Sequence, residues 1–209
     1  MSRLVDISPV LSPRVAVWPG DVPFQREVSL AISGGANIDL SAISTTVHVG
    51  AHTDAPSHYL GGGETMETRS LELYYGPCEV RTVNIGRGER IEPSHLTAPP
   101  RAPRLLLNTG TFPDPDHFNR DFAALSPSLV AWAHDHGVRM IGLDTPSVDL
   151  CDDAELLSHQ AIAERDMAIL EGVVLSHVPD GVYVLAAFPL RLEGADASPV
   201  RAVLITEDA

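Results

Sequence analysis

The chain has 209 residues, 44% of them hydrophobic, and a net charge of −14 from 28 acidic against 14 basic residues. That length suits one well-packed domain and falls short of two comfortable ones. The acidic surplus argues against nucleic acid or an anionic membrane as partner, and because every basic residue is Arg, lysine Schiff-base or nucleophile chemistry is excluded.

The N-terminal run Met1-Ser2-Arg3-Leu4-Val5-Asp6 lacks a signal-peptide core, and no segment reaches the ~20 apolar residues that span a bilayer. Two cysteines, Cys78 and Cys151, make no disulfide framework and read as ordinary core or surface thiols. The expectation is a cytoplasmic protein.

Residues 3–8 and 13–18 read as short strands around a Ser-Pro turn. Trp18-Pro19-Gly20-Asp21 is a turn signal, and Phe24 to Ile32 alternates as a strand until Ser33-Gly34-Gly35 breaks it. Ile38 to His48 leads into a His-rich segment, followed by Gly61-Gly62-Gly63, which is either flexible or lies close against a neighbour. Ser70 to Tyr75 reads as a short helix ended by Gly76, and Cys78–Ile85 and Arg104–Asn108 as strands. Ser126 is a candidate N-cap with Pro127 at the first helical position, for a helix over Leu129–His136 closed by Gly137. Val138–Leu143 reads as a buried strand, Ala154–Glu164 as a second helix, and Val173–Leu175, Tyr183–Phe188 and Ala202–Ile205 as further strands. Without repeats or linkers, residues 1–209 make a single domain.

Chemistry concentrates in His48-Val49-Gly50-Ala51-His52-Thr53-Asp54-Ala55-Pro56-Ser57-His58, where three of the nine His residues and a carboxylate fall together. Imidazole and carboxylate are the donors that Zn²⁺ and similar divalent ions take from proteins. Even spacing puts the four on one face of a strand, but at ~3.3 Å per residue a straight strand cannot bring them all to one ion. Gly50 and Pro56 therefore mark bends. The β-branched run Thr45-Thr46-Val47 argues against a helix, so the reading is a strand ending near His48 and a tight loop presenting His52 and Asp54, with His58 slightly apart. A structural zinc site would be closed and usually Cys-rich, and neither Cys lies beside the cluster.

Two later residues are candidates to extend the site. Glu171 sits in the apolar run Met167-Ala168-Ile169-Leu170-Glu171, where an unpaired carboxylate is costly. His159 lies on the second helix. The residues alone leave both open: His159 could be an exposed helix residue, and Glu171 an edge residue or the partner of an Arg. No G-x-S-x-G elbow, P-loop or G-x-G-x-x-G occurs, which argues against serine-hydrolase and nucleotide chemistry.

The segment His48 to His58 resembles the H-x-G-T-H-x-D-x-P-x-H signature of the metal-dependent cyclase-like hydrolases. Asp6-Ile7-Ser8-Pro9, Trp18-Pro19-Gly20-Asp21, Gly142-Leu143-Asp144-Thr145-Pro146-Ser147, Met167 to Gly172 and Asp196 to Ala202 extend the likeness over nearly the whole chain, toward the kynurenine formamidase branch. One departure is Ala51, where Thr is common. The resemblance implies an α/β fold of one compact domain, a swivelling β/β/α arrangement whose mixed sheet closes partly into a barrel flanked by helices. It implies a homodimer whose partner can contribute to the pocket. It further implies two divalent metal ions, Zn²⁺ or alternatively Mn²⁺: His48, His52 and Asp54 on the first, and Asp54 bridging to a second completed by His159 and Glu171. His58 becomes the acid/base residue and Trp18 a wall of the substrate pocket, where otherwise it would be a packed surface aromatic. The implied reaction is hydrolysis of N-formyl-L-kynurenine to L-kynurenine and formate in tryptophan breakdown, with metal-activated water as nucleophile; an Arg that the sequence does not single out could receive the substrate carboxylate in a bidentate pair. Alternatives are isatin hydrolysis or another cyclic amide or ester on the same site, or a non-catalytic metal-binding module.

Overall fold

The computed structural model describes residues 3–206. In chain order the strands are β1 (Arg3–Asp6), β2 (Gln25–Leu30), β3 (Leu40–Ser44), β4 (His52–Asp54), β5 (Tyr75–Thr82), β6 (Arg90–Ile91), β7 (Arg104–Asn108) and β8 (Ala124–Leu125). Helix α1 (Pro127–Asp135), β9 (Met140–Leu143), α2 (Leu157–Ala163), β10 (Ala168–Leu170), β11 (Gly181–Ala186), β12 (Ala197–Pro199) and β13 (Val203–Thr206) follow.

One seven-stranded sheet, in the order β1-β13-β11-β5-β7-β9-β10, carries the fold. Pairing is antiparallel from β1 through β5 and parallel from β5 through β10, so the sheet is mixed. The parallel half reads as near-continuous apolar runs because both of its faces are covered. Leu106, Met140, Ala168 and Leu170 point into one core with Cys78, Val80, Leu185 and Leu204. Their neighbours Leu105, Leu107, Ile141, Leu143 and Ile169 point to the other face, against Leu129, Val130 and Ala133 of α1 and Ile162 of α2. The period-2 alternation of side chains thus supplies two cores from one set of strands. The sheet also curls toward a barrel. Just beyond β10, the Val174 N–H donates to the Ile7 carbonyl just beyond β1 at 2.8 Å, so the two edges meet.

Local signals account for the elements they mark. The Ser126 hydroxyl accepts the Leu129 N–H, Pro127 opens α1, and Gly137 follows at φ +87°. Asp21 donates its N–H to Trp18 O in the expected turn. The Ser70 cap is present, but it starts a single 3₁₀ turn over Leu71–Tyr74, after which the chain enters β5 directly.

Four expectations need correction. Residues 13–18 form no strand, because Val15 turns back to bond Ser12 O and Ala16 bonds Pro115 O, leaving no ladder partner. The second helix starts at Leu157: Asp153 takes the Glu155 N–H with its own carboxylate, a local bond that competes with helix. The strand expected at Val173–Leu175 lies instead at Ala168–Leu170, because Gly172 adopts φ +65° and breaks the extended run. The His-rich segment is inverted: β3 stops at Ser44, His48 stands in the loop, and His52 to Asp54 form the strand.

Gly50 and Gly172 make that inversion possible. Gly50 has φ +60°, and a Cβ on Gly172 would lie 2.2 Å from Gly50 O. Gly172→Ala is expected to cost roughly 2–4 kcal/mol of stability, from the left-handed backbone and the clash together, read as a lower urea midpoint. An unchanged midpoint would mean that the two loops separate freely.

Candidate active site

Strand β4 is held between two neighbours. On one side it pairs with β12, with Asp54 opposite Ala197 and His52 opposite Pro199. On the other side His52 and Glu171 exchange both backbone hydrogen bonds, at 3.1 and 2.9 Å. Directly opposed residues of an antiparallel pair put their side chains on the same face, about 5 Å apart at Cβ. Asp54, two residues on, shares the face of His52, as the even spacing implies. His159 enters from α2 and His48 from the loop. Pro56 opens a 3₁₀ turn that carries His58 (side chain 35% exposed), with Ala55 extended before it.

The polar atoms converge. His52 Nε2 lies 3.1 Å from Glu171 Oε2 and 3.6 Å from Asp54 Oδ1. His159 Nε2 lies 3.5 Å from Asp54 Oδ2 and 3.9 Å from Glu171 Oε1, and His48 Nδ1 lies 3.1 Å from Asp54 Oδ1. Two sets of donors form, His48-Asp54-His58 and His52-Asp54-Glu171, and both contain Asp54. His159 and Glu171 are therefore neither an exposed helix residue nor the partner of an Arg: both are buried and face the cluster.

The groups fit divalent ions. Ligands ~2.0–2.2 Å from one tetrahedral ion stand ~3.3–3.5 Å apart, near the separations seen here. His52 Nδ1 is 2.9 Å from Gly50 O and His159 Nδ1 is 2.8 Å from Asp149 Oδ2. Each ring then donates through Nδ1–H, and its neutral form turns a lone pair on Nε2 toward carboxylate oxygens. Two acceptors at such range need a proton or a cation between them. Asp54 Oδ1 makes the same point: it is buried, neither nearby imidazole contact has hydrogen-bond geometry, and it has no hydrogen-bond partner.

Electrostatics follow the same logic. Burial works against a charged His48, but the Asp54 and Asp196 carboxylates outweigh it and lift its pKa to about 9. His159 rises to about 10 against burial, through Asp149 and Asp54. His52 is also raised, by Glu171 and Asp54 against burial, and Asp54 is held well below the carboxylate range despite its burial by His159 and His48.

A cavity of about 390 Å³ opens over these groups. One end is the His and carboxylate cluster; the other is apolar, with Val15, Val17, Trp18, Phe112 and Phe118. Trp18 stands edge-on to Phe118 at 5.4 Å and to Phe122 at 6.2 Å, on the cavity wall rather than at the surface of its turn. Among the described residues the lining contains no Arg, and the sequence singles out none for the substrate carboxylate. Several Arg are committed elsewhere, Arg90 to Asp149 and Arg69 to Glu64 and Asp166.

Two residues of the site escape the sequence reading. Asp149 accepts from the Ser158 and His159 N–H groups as well as the His159 ring, so it seats the start of α2. Its distance of ten residues from His159 hides the pairing. Asp196 Oδ2 lies 3.0 Å from His48 Nε2 and 3.3 Å from His58 Nδ1. The Asp-Ala-Ser-Pro segment that carries it is part of the resemblance, but no spacing signal ties it to the histidines.

The raised imidazole pKa values fix a pH dependence. A group whose folded-state pKa exceeds its unfolded value stabilises the fold fully below the unfolded pKa and loses that contribution as pH rises through the folded one. Chelator-stripped protein is expected to lose melting temperature from about pH 6.5 to about pH 10, while affinity for an added divalent ion rises as protons leave the rings. A melting temperature that holds level over that window would count against this charge assignment.

The chain matches the family model described as putative cyclase over residues 5–150. It is 41% identical over 206 residues to kynurenine formamidase from Bordetella petrii, and equally to that from Bordetella pertussis, covering 98% of this chain and 98% of each relative. Among solved structures it resembles a potential metal-dependent hydrolase with cyclase activity, with a TM-score of 0.83 at 25% identity over 100% of both chains. It also resembles isatin hydrolase A from Labrenzia aggregata, with a TM-score of 0.84 at 22% identity over 99% of this chain and 94% of that one, a likeness of fold. With a compact α/β domain of the same architecture and a His and carboxylate cluster on β4, this chain belongs to the cyclase family of metal-dependent hydrolases.

Proposed function

We propose that the protein hydrolyses N-formyl-L-kynurenine to L-kynurenine and formate. The observation that carries this reading is the 41% identity to kynurenine formamidases over nearly the full chain. The cavity supports it, because an apolar aromatic end beside a cluster of imidazoles and carboxylates suits an aryl formamide.

In this reading His48, His52 and Asp54 would hold one divalent ion, and Asp54, His159 and Glu171 a second, Zn²⁺ or alternatively Mn²⁺, although the geometric groups are His48-Asp54-His58 and His52-Asp54-Glu171. His52 faces Glu171 more closely than Asp54, so Glu171 contributes near both positions. When bound, the ions lower the pKa of water and polarise a carbonyl. The protein's own groups do the rest. Trp18 and Phe118 receive the aryl ring and exclude water around the formyl group. His58, partly exposed at the cavity, takes a proton from the attacking water and returns it to the departing arylamine nitrogen. Phe112 and Val17 complete the apolar wall.

A homodimer fits the surface. The β2–β3 hairpin is exposed throughout, with Val28, Leu30, Leu40 and Ile43 all in solvent, a large apolar surface for a monomer to leave uncovered. A second copy is also the natural source of the cation that the cavity lacks for the substrate carboxylate. Among the described residues no helix is long and apolar enough to cross a membrane.

The deciding experiment is turnover of N-formyl-L-kynurenine by chelator-stripped protein before and after Zn²⁺ or Mn²⁺, with isatin as control. Metal-restored release of kynurenine is expected; isatin turnover alone would move the substrate to cyclic amides, and no turnover with a filled site would leave a binding module. His58→Ala should lower kcat by about 10²–10⁴-fold with metal content unchanged, and loss of metal instead would make His58 a ligand of the His48-Asp54 set. Trp18→Ala should raise KM by roughly tenfold with kcat less affected, corresponding to an aromatic contact of about 1.4 kcal/mol.

A further inference from the structure

Asp196 belongs to neither donor set, yet its carboxylate faces two members of the first, His48 and His58. Its carbonyl accepts the Ala55 N–H at 2.8 Å, which ties it to the chain beside Asp54, and the next residue, Ala197, pairs with Asp54 in the β4–β12 ladder. From there its Oδ2 reaches His48 Nε2 at 3.0 Å and His58 Nδ1 at 3.3 Å. The two rings lie 4.2 Å apart between centroids and are tilted by 44°. Among the described residues no other carboxylate is within 4.0 Å of the His58 ring.

A carboxylate is acceptor only, so each imidazole nitrogen facing it must carry the hydrogen. For His58 that places hydrogen on Nδ1 and leaves Nε2 as the bare, basic nitrogen. For His48 it places hydrogen on Nε2; Nδ1, which faces Asp54 at 3.1 Å, then holds either a second proton or, in its place, a metal ion. These are the tautomers that proton transfer and metal ligation respectively need. We propose that Asp196 is a positioning residue that sets both tautomers at once, orienting His48 toward the metal and His58 toward the substrate. The proposal rests on the hydrolytic reading given above.

The proton path is then defined. Water gives one proton to His58 Nε2 while its oxygen pair forms the bond to the formyl carbon. The carbon–nitrogen bond breaks, its electron pair stays on the arylamine nitrogen, and that nitrogen takes the proton back from His58 Nε2. Throughout, Asp196 stays ionised and balances the transient imidazolium.

The test compares Zn²⁺-loaded wild type with Asp196→Ala and Asp196→Glu. The side chain is about half exposed and the bond to Ala55 is made by the backbone, so both variants should fold. At saturating metal, Asp196→Ala is expected to lower kcat on N-formyl-L-kynurenine by about 100-fold with little change in KM, and Asp196→Glu to recover part of it. On 4-nitrophenyl formate, whose phenolate leaves without protonation, the loss should be clearly smaller. Nitrogen-15 spectra, with His58 assigned by its substitution, should show one tautomer in wild type and a mixture in Asp196→Ala. Zn²⁺ affinity measured against a chromophoric chelator should fall by about 10-fold or more. Equal losses on amide and ester with an unchanged His58 tautomer would overturn the proposal, as would unaltered kcat and Zn²⁺ affinity. If wild type hydrolyses no formamide, the functional reading fails, and the tautomer and Zn²⁺ measurements still decide the role of Asp196.

Discussion

Two carboxylates, Asp54 and Glu171, are buried side by side, and among the described residues no guanidinium pairs with them. Burying even one such charge is prohibitive unless it is paired and hydrogen-bonded. The protein surrounds the pair with three imidazoles, and in the absence of metal their protons are the neutralising charge. That constraint explains why His48 and His159 hold protons so far above the usual range. The same cage suits a divalent ion, which would do the electrostatic work that protons otherwise do.

The backbone is arranged to serve this cage. A two-residue bridge between His52 and Glu171 fixes one imidazole against one carboxylate, and the positive-φ glycines Gly50 and Gly172 let the two chains approach closely enough to form it. Behind them, Asp149 and Gly50 O hold the Nδ1 atoms of His159 and His52, so the rings cannot turn away. Orientation is therefore built into hydrogen bonds that exist before any ion arrives, which reduces the ordering cost of binding.

The cavity has a polar end that can activate water and an aromatic end that can hold a ring. Trp18 is held there by Phe118 and Phe122, which meet the indole in T-shaped contacts and are backed in turn by Phe112, so a turn and a loop about 100 residues apart in sequence make one apolar cluster. Among the described residues its lining carries no Arg; beyond the imidazoles and carboxylates, its polar groups include Asn108, Ser147 and Ser176.

By itself the sequence determined the chemistry and much of the scaffold. Imidazoles and a carboxylate gathered in one short segment mark His48, His52 and Asp54 as candidate ligands, because residue type and close spacing are local, although that reading puts His52 and Asp54 in a loop. Ser126-Pro127 and Gly137 bound α1, and Arg104–Asn108 is a strand from end to end, because caps and buried apolar runs are also local signals. The resemblance of the His48–His58 segment joined His159 and Glu171 to the site before any distance was known. Only the tertiary structure decided that His48 lies in the loop and His52 in the strand, because that choice depends on which segment finds ladder partners: β12 and Glu171 accept residues 52–54, and among the described residues no strand pairs with residue 48, whose N–H bonds Thr46 Oγ1 instead. The same reason hid Asp149 and Asp196. A hydrogen bond from a distant carboxylate to an imidazole leaves no periodic trace in the chain, and is decided only when the sheet closes and brings the two together.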